Sequence, residues 1–248
     1  MKKIIFLALS AALAFSVSAG AQAFSGLSLS VGGGTDGLSF EIATPLGDHL
    51  QLRAGYGLAL GLYKYNTTVS VTKPATAGGG TVSCPTKLNF AESDGRLLLN
   101  IYPGDGVFHF TAGVYLGSSN FVRGTISGLP AEAKTHGMDV AGKTIYPNSS
   151  NEIQTFIRTS KSGFAAKPYL GIGFGRPVHE SKTVSFSVDL GCMYQGKPTM
   201  WFAGQDASGK TVEVDISNEK DMAKPLDDLG KYMTFWPVLH AHLYVNLF

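Results

Sequence analysis

Eight separate segments of this chain alternate apolar and polar side chains with a period of two, and the apolar set is almost free of charge. The stretch Val184 to Gln195, "VSFSVDLGCMYQ", sets Val184, Phe186, Val188, Leu190, Cys192 and Tyr194 against Ser185, Ser187, Asp189, Gly191, Met193 and Gln195. Successive side chains of a β-strand point to opposite faces, so this pattern predicts a strand with one apolar and one polar face. The same alternation runs through "LSLSV" (27–31), "GLSFEIA" (37–43), "HLQLRAGYGLAL" (49–60) and "GRLLLNIY" (95–102). It continues in "VFHFTAGVYLG" (107–117), "PYLGIGFG" (168–175) and "LHAHLYVNLF" (239–248).

The connections between these segments are of two kinds. "TPLGDH", "YPGDG" and "RPVHESK" are short, and each carries a proline (Pro45, Pro103, Pro177) in turn chemistry. Residues 66–87, 122–162 and 205–232 are long and polar, whereas the first connection, "GGGTDG", is again short. Short turns at one end and long loops at the other are the layout of an outer-membrane barrel with its turns in the periplasm. A soluble barrel such as a lipocalin keeps its apolar residues inside and needs a charged exterior. Here only 15% of the residues are charged, against about a quarter in an ordinary soluble domain.

The N-terminus agrees. "MKKIIFLALSAALAFSVSAGAQA" has Lys2 and Lys3, an apolar run, and Ala21-Gln22-Ala23, the form of a secretory signal peptide over 1–23. The mature chain is then expected over 24–248, with 18 Lys plus Arg (20 less Lys2 and Lys3) against 18 Asp plus Glu. That balance provides no basic footprint for nucleic acid. After Ala23 no apolar run approaches the ~20 residues of a spanning helix. A mature chain that crosses a membrane must therefore cross it as a closed β-barrel, where every backbone group finds a partner. Cys84 lies in a Gly/Thr/Pro-rich segment and Cys192 on an apolar strand face, settings that predict two unpaired thiols.

Two stretches resemble a known family. "KPYLGIGFGRPVHESKTVSFSVDLGCMYQGKP" and "KYMTFWPVLHAHLYVNLF" are similar to the carbapenem-associated, ornithine-uptake type porins. In that family "PYLG-x-G-F" precedes a short turn, an alternating strand ends in "GxP", and "KY…P" leads into the terminal strand. "VGGGTDGLSFEIATPLGDHLQLRAGYG" looks like the opening hairpins of small Gram-negative outer-membrane barrels. The resemblance implies an eight-stranded barrel and a channel role for small basic amino acids.

The polar face then lines a lumen. Glu41, Arg53, Arg96 and Asp189 all point inward, and counting residues from the short turns places them at similar height, toward the periplasmic side. Two cations and two anions at one level read as an ion-pair plug, because buried charge survives mainly when paired. The other reading is a gated filter. The inward Gly55, Gly57, Gly171 and Gly173 are expected to leave volume beside Lys167 and Tyr169, nearer the outer rim. His109, His240 and His242 also face inward. Two imidazoles do not fill a metal site, so His240 and His242 read as polar lumen residues. Ser185, Ser187, Asp189 and the two histidines share neighbouring strands, yet a filled lumen gives a lipid substrate no access, and neither G-x-S-x-G nor H-E-x-x-H occurs.

The expectation is an all-β, eight-stranded antiparallel transmembrane barrel in a bacterial outer membrane, with membrane lipid as its surroundings and with no cofactor, metal or enzymatic activity. Its expected role is passage of small polar solutes through a narrow charged lumen, the alternatives being a sealed barrel that acts through its loops and, after it, a lipid-modifying enzyme. Those loops could bind a partner, fold over the mouth or prolong the strands as hairpins. A short helix is expected before Pro225, capped by Ser217 or Asn218. Phe248 breaks the parity of the last strand, so its facing stays open.

Overall fold

A computed structural model of the chain describes residues 25–58, 63–73, 79–90, 93–179, 181–218, 227–228 and 230–247. The segment expected to be a signal peptide, the residues just before Pro225 and Phe248 lie outside them. The first strands are β1 (Ser28–Gly34), β2 (Gly37–Gly47), β3 (Leu50–Leu58), β4 (Tyr63–Thr72), β5 (Thr81–Phe90) and β6 (Ser93–Ile101). Next come β7 (Phe108–Ser118), β8 (Asn120–Ile126), the short helix α1 (Ala133–His136), β9 (Met138–Val140) and β10 (Lys143–Ile145). The last are β11 (Ile153–Arg158), β12 (Phe164–Gly175), β13 (Val184–Tyr194), β14 (Thr199–Gln205), β15 (Thr211–Asp215) and β16 (Phe235–Asn246).

Eight of these strands close a barrel in the order β1-β16-β13-β12-β7-β6-β3-β2, antiparallel throughout. They are the eight segments that alternate in the sequence. The last strand begins at Phe235, four residues before the alternation becomes regular. Closure follows from β1 pairing with both β2 and β16, so Leu29 faces Ile42 on one side and Val245 on the other. No edge remains to be satisfied by water, which is the condition for a β-structure in lipid.

The two faces confirm which solvent lies outside. Leu170 is 69% exposed, Phe174 58% and Phe186 55%, all on the outer surface, while Arg53 and Lys167 are fully buried inside. At ~3.3 Å per residue and a tilt of ~45°, eleven residues such as β13 span roughly 26 Å, the height of an outer-membrane apolar band. Aromatic side chains gather at both ends of that band. Phe108, Phe110 and Phe174 cluster toward the short turns, with centroids 5.1–5.4 Å apart. Tyr194 and Phe235 meet at 5.4 Å toward the other end. Cys192 lies on the outer face as a free thiol, and Cys84 is free and buried.

The long polar segments are not irregular loops. Six of their strands form one sheet, in the order β15-β14-β11-β8-β5-β4. One face is apolar, with Cys84, Ile126, Ile153, Phe202 and Val214 buried. Ala133 of α1, Met138 of β9 and Ile145 of β10 pack against it. Of the three fates left open for these segments, prolongation as hairpins comes nearest, because β4–β5 and β14–β15 are hairpins. The sheet has its own core, separate from the lumen. Near the expected helix, residues 227–228 and 230–233 are helical, after Pro225.

Candidate functional site

The candidate site is the barrel lumen. Strand alternation aims every second residue at the axis, and eight strands leave room for little more than those side chains. Arg53 on β3 is the centre. Its Nε donates to Glu41 Oε2 at 2.9 Å and its Nη1 to Asp189 Oδ2 at 2.9 Å. Nη1 also reaches Asn100 Oδ1 at 3.4 Å. Asp189 is held further by His109 Nε2 at 2.9 Å, by Thr111 Oγ1 at 3.3 Å and by Ser187 Oγ at 3.3 Å. Glu41 accepts from Tyr244 OH at 2.8 Å. His242 Nε2 sits 2.8 Å from Ser39 Oγ and 3.5 Å from Glu41 Oε1.

Arg96 forms a second tier. Its Nη2 pairs with Asp36 Oδ2 at 2.9 Å, in the turn between β1 and β2, and lies 3.9 Å from Asp94 Oδ1. Nη1 donates to His240 Nδ1 at 2.9 Å. A guanidinium can only donate, so Nδ1 accepts, and Nε2–H of His240 then donates to Asp36 Oδ1. Arg96 stacks on Tyr115, 4.9 Å from the ring centroid, and lies 3.7 Å from Glu41 Oε1. Lys167 Nζ is 3.9 Å from Asp94 Oδ2. Glu41 thus joins the two tiers.

The structure brings Glu41, Arg53, Arg96 and Asp189 into one connected network, but not at one level. Arg96 stands three residues from the outer end of β6 and pairs with an outer turn, whereas Arg53 stands three from the inner end of β3. Strands in a closed barrel are staggered, so equal counts from the turns do not mean equal heights. The charge inventory also differs. Asp36, Asp94 and Lys167 join, so three cations (Arg53, Arg96, Lys167) face four carboxylates (Asp36, Glu41, Asp94, Asp189).

The glycines do not leave open volume. A Cβ on Gly171 or Gly191 would stand 2.5 or 2.3 Å from Tyr169 OH. On Gly173 it would stand 2.4 Å from His109 Nε2, on Gly57 2.2 Å from Arg96 Nη2, and on Gly55 2.5 Å from Glu41 Cγ. Each glycine is the floor on which a large lumen side chain lies. Tyr169 itself stacks with Tyr115 at 5.4 Å, in a buried cluster with Leu98, Met193 and Val238.

The periplasmic end is closed by residues the sequence did not single out. Arg176 lies over Tyr102, 4.3 Å from its centroid. Its guanidinium donates to the carbonyls of Asp48, Gly104 and Gly106 at 3.0–3.2 Å, tying the three short turns together. Gln51 Nε2 donates to Val178 O at 2.8 Å, and the Val178 N–H donates to Gln51 Oε1 at 3.3 Å, which draws the β12–β13 turn under the lumen. The only sequence signal for this lock was the inward parity of Gln51.

The residues weighed for other chemistry are dispersed. Ser187 turns to Asp189, and Ser185 donates to Pro177 O at 2.8 Å. The rings of His240 and His242 stand edge to face, 5.5 Å apart, and turn to different partners. Among the described residues no group of three His, Cys, Asp or Glu side chains is placed to hold a metal ion.

A closed barrel with lipid-facing apolar side chains and a polar, ion-paired interior decides the class. The chain folds as an outer-membrane β-barrel. No family model and no curated protein matches its sequence. Among solved structures it is similar to a major outer membrane protein from Thermus thermophilus, at 13% identity and a TM-score of 0.50 over 90% of this chain and 98% of that one. It is also similar to CarO2 of Acinetobacter baumannii, at 14% identity and a TM-score of 0.48 over 91% of this chain and 99% of that one. With CarO of the same species the values are 16% identity and 0.43, over 89% and 96%. At such identities the likeness is one of fold. The lumen network is therefore read from this chain's own geometry.

Proposed function

We propose that this outer-membrane barrel is sealed in its resting form and acts through the six-stranded sheet that it carries at its outer end. The observation that supports this reading is the continuous filling of the lumen. The Arg176 lock occupies the short-turn end, the Arg53 and Arg96 tiers lie above it, and the Tyr115–Tyr169 cluster packs beside Arg96. A pore must be wide enough to enter and weak enough in its binding to leave, and this lumen is tied by charged hydrogen bonds across the barrel. The test is steady-state conductance of the purified chain in planar lipid bilayers. Silence at moderate voltage is expected, and a stable open conductance of the unmodified protein would sink the reading.

Slow, gated passage of small polar solutes is the second reading. One observation favours it. Arg53 Nη2, Arg96 Nε and His242 Nδ1 are buried without a hydrogen-bond partner among the described residues, so other pairings are open to the network. Gating predicts brief, rare openings whose frequency changes when Asp36→Asn loosens the upper tier. Unchanged silence in that variant would reject it.

A further inference from the structure

The polar face of the outer sheet carries a cluster that the lumen reading does not use. Register places Lys64 opposite Asn89, Asn89 opposite Arg123 and Arg123 opposite Phe156, in one row across β4, β5, β8 and β11. The next row sets Asn66 opposite Lys87 and Lys87 opposite Thr125. Paired residues share a face, and both rows line one cleft of about 410 Å³. Lys64, Lys87 and Arg123 are exposed in it. No carboxylate lines the cleft, and among the described residues none of the three cations forms an ion pair. The acids of this face, Glu213 and Asp215, lie on β15 at the far edge, and Glu213 is taken by Arg158 at 2.5 Å.

Strands ~4.8 Å apart and rows ~7 Å apart bring the three head groups within reach of one small anion. Without a counter-charge they repel each other, and a doubly charged group relieves that repulsion. Asn66 and Asn89 add amides that donate to and accept from hydroxyl groups, and Phe156 offers an apolar ring at the end of the row. Cations, amides and one aromatic face together match a phosphorylated sugar.

We propose that this cleft binds the phosphate of a phosphate-bearing saccharide, with Lys64, Lys87 and Arg123 on the phosphate and Asn66 and Asn89 on the sugar hydroxyls. The inference does not depend on whether the lumen conducts. Such a group reaches the outer sheet either as a free sugar phosphate or as part of a phosphorylated glycolipid of the outer leaflet. Calorimetric titration of the refolded full chain distinguishes them, using glucose 6-phosphate, glucose, lipopolysaccharide and dephosphorylated lipopolysaccharide as probes. Saturable binding of a phosphorylated probe and not of its phosphate-free counterpart is expected. Glucose 6-phosphate binding would identify a solute site, and lipopolysaccharide binding alone a glycolipid site. Arg123→Gln should weaken binding about tenfold, the size of one charge-assisted hydrogen bond. Asn66→Asp, which adds a carboxylate without removing a cation, should weaken it too. Heat-modifiable gel mobility verifies the barrel in each variant. The proposal fails if neither phosphorylated probe outbinds its counterpart, or if the Lys64→Gln, Lys87→Gln, Arg123→Gln triple variant binds like the unmodified chain.

Discussion

Single residues in the lumen are strongly coupled to their neighbours. Arg53 is fully buried between Glu41 and Asp189, so Arg53→Ala takes the guanidinium from Asp189 and leaves Glu41 with Arg96 alone, 3.7 Å away. Breaking a buried pair in this way costs about 3–5 kcal/mol, and urea unfolding in lipid vesicles should show a loss of that order. Gly191→Ala tests the packing directly. Its Cβ would meet Tyr169 OH at 2.3 Å and the Leu170 carbonyl at 2.6 Å, and the carbonyl belongs to a paired strand that cannot retreat. Overpacking of this kind costs about 1–3 kcal/mol. Tyr169→Phe in the same background removes one of the clashing atoms, so the double variant should recover part of the loss. Cys84 is a residue-scale probe outside the barrel. Burial pushes its thiol pKa up, which keeps it protonated and unreactive near neutral pH. An impermeant maleimide should leave Cys84 unlabelled in the native protein and modify it once the outer sheet unfolds.

Individual elements obey two different solvents. β13 turns Leu190 to lipid and Asp189 to the lumen, one residue apart. Leu190→Lys should cost about 2–4 kcal/mol in a bilayer. The outer sheet follows the rules of a water-soluble sheet instead. Ile126 is fully buried in its core, and Ile126→Ala removes contacts worth about 2–5 kcal/mol. Limited proteolysis should then cut within the outer sheet while the barrel keeps its heat-modifiable mobility, because the two cores are separate.

Over the whole molecule, three turns and one long side chain set the periplasmic closure. Arg176, in the β12–β13 turn, holds carbonyls of the other two short connections, Asp48 in one and Gly104 and Gly106 in the other. Arg176→Ala should raise hydrogen exchange at residues 102–107 and 176–179 together, whereas a local defect would raise it in one turn only. The barrel pairs each strand with its sequence neighbour in the alternating set, and β1 with β16 closes the ring over more than 200 residues of chain. That long closure binds the lumen network together, since Glu41, Tyr244, His240 and Asp36 come from the two ends of the chain.

The sequence by itself determined the eight barrel strands, which face of each meets lipid, and which side chains enter the lumen. Each of these depends on a period of two that is local to its strand. Val184 to Tyr194 needed no partner to be read as lipid-facing. Only the tertiary structure decided what the inward groups touch. The stagger of a closed sheet lifted Arg96 toward Asp36 and left Arg53 below it, and counting residues from turns does not contain that shear. It also decided that Gly171 seats Tyr169 and Gly173 seats His109 rather than open a channel, because the side chain that lies over a glycine is set by rotamers and by neighbouring strands, not by the parity of its own strand. The outer sheet was least legible. β4 carries few apolar residues, β5 contains Pro85 and β8 contains Gly124, so their alternation is weak. They became a sheet through pairing with one another and burial under α1, β9 and β10, contacts that exist only once distant loops have met.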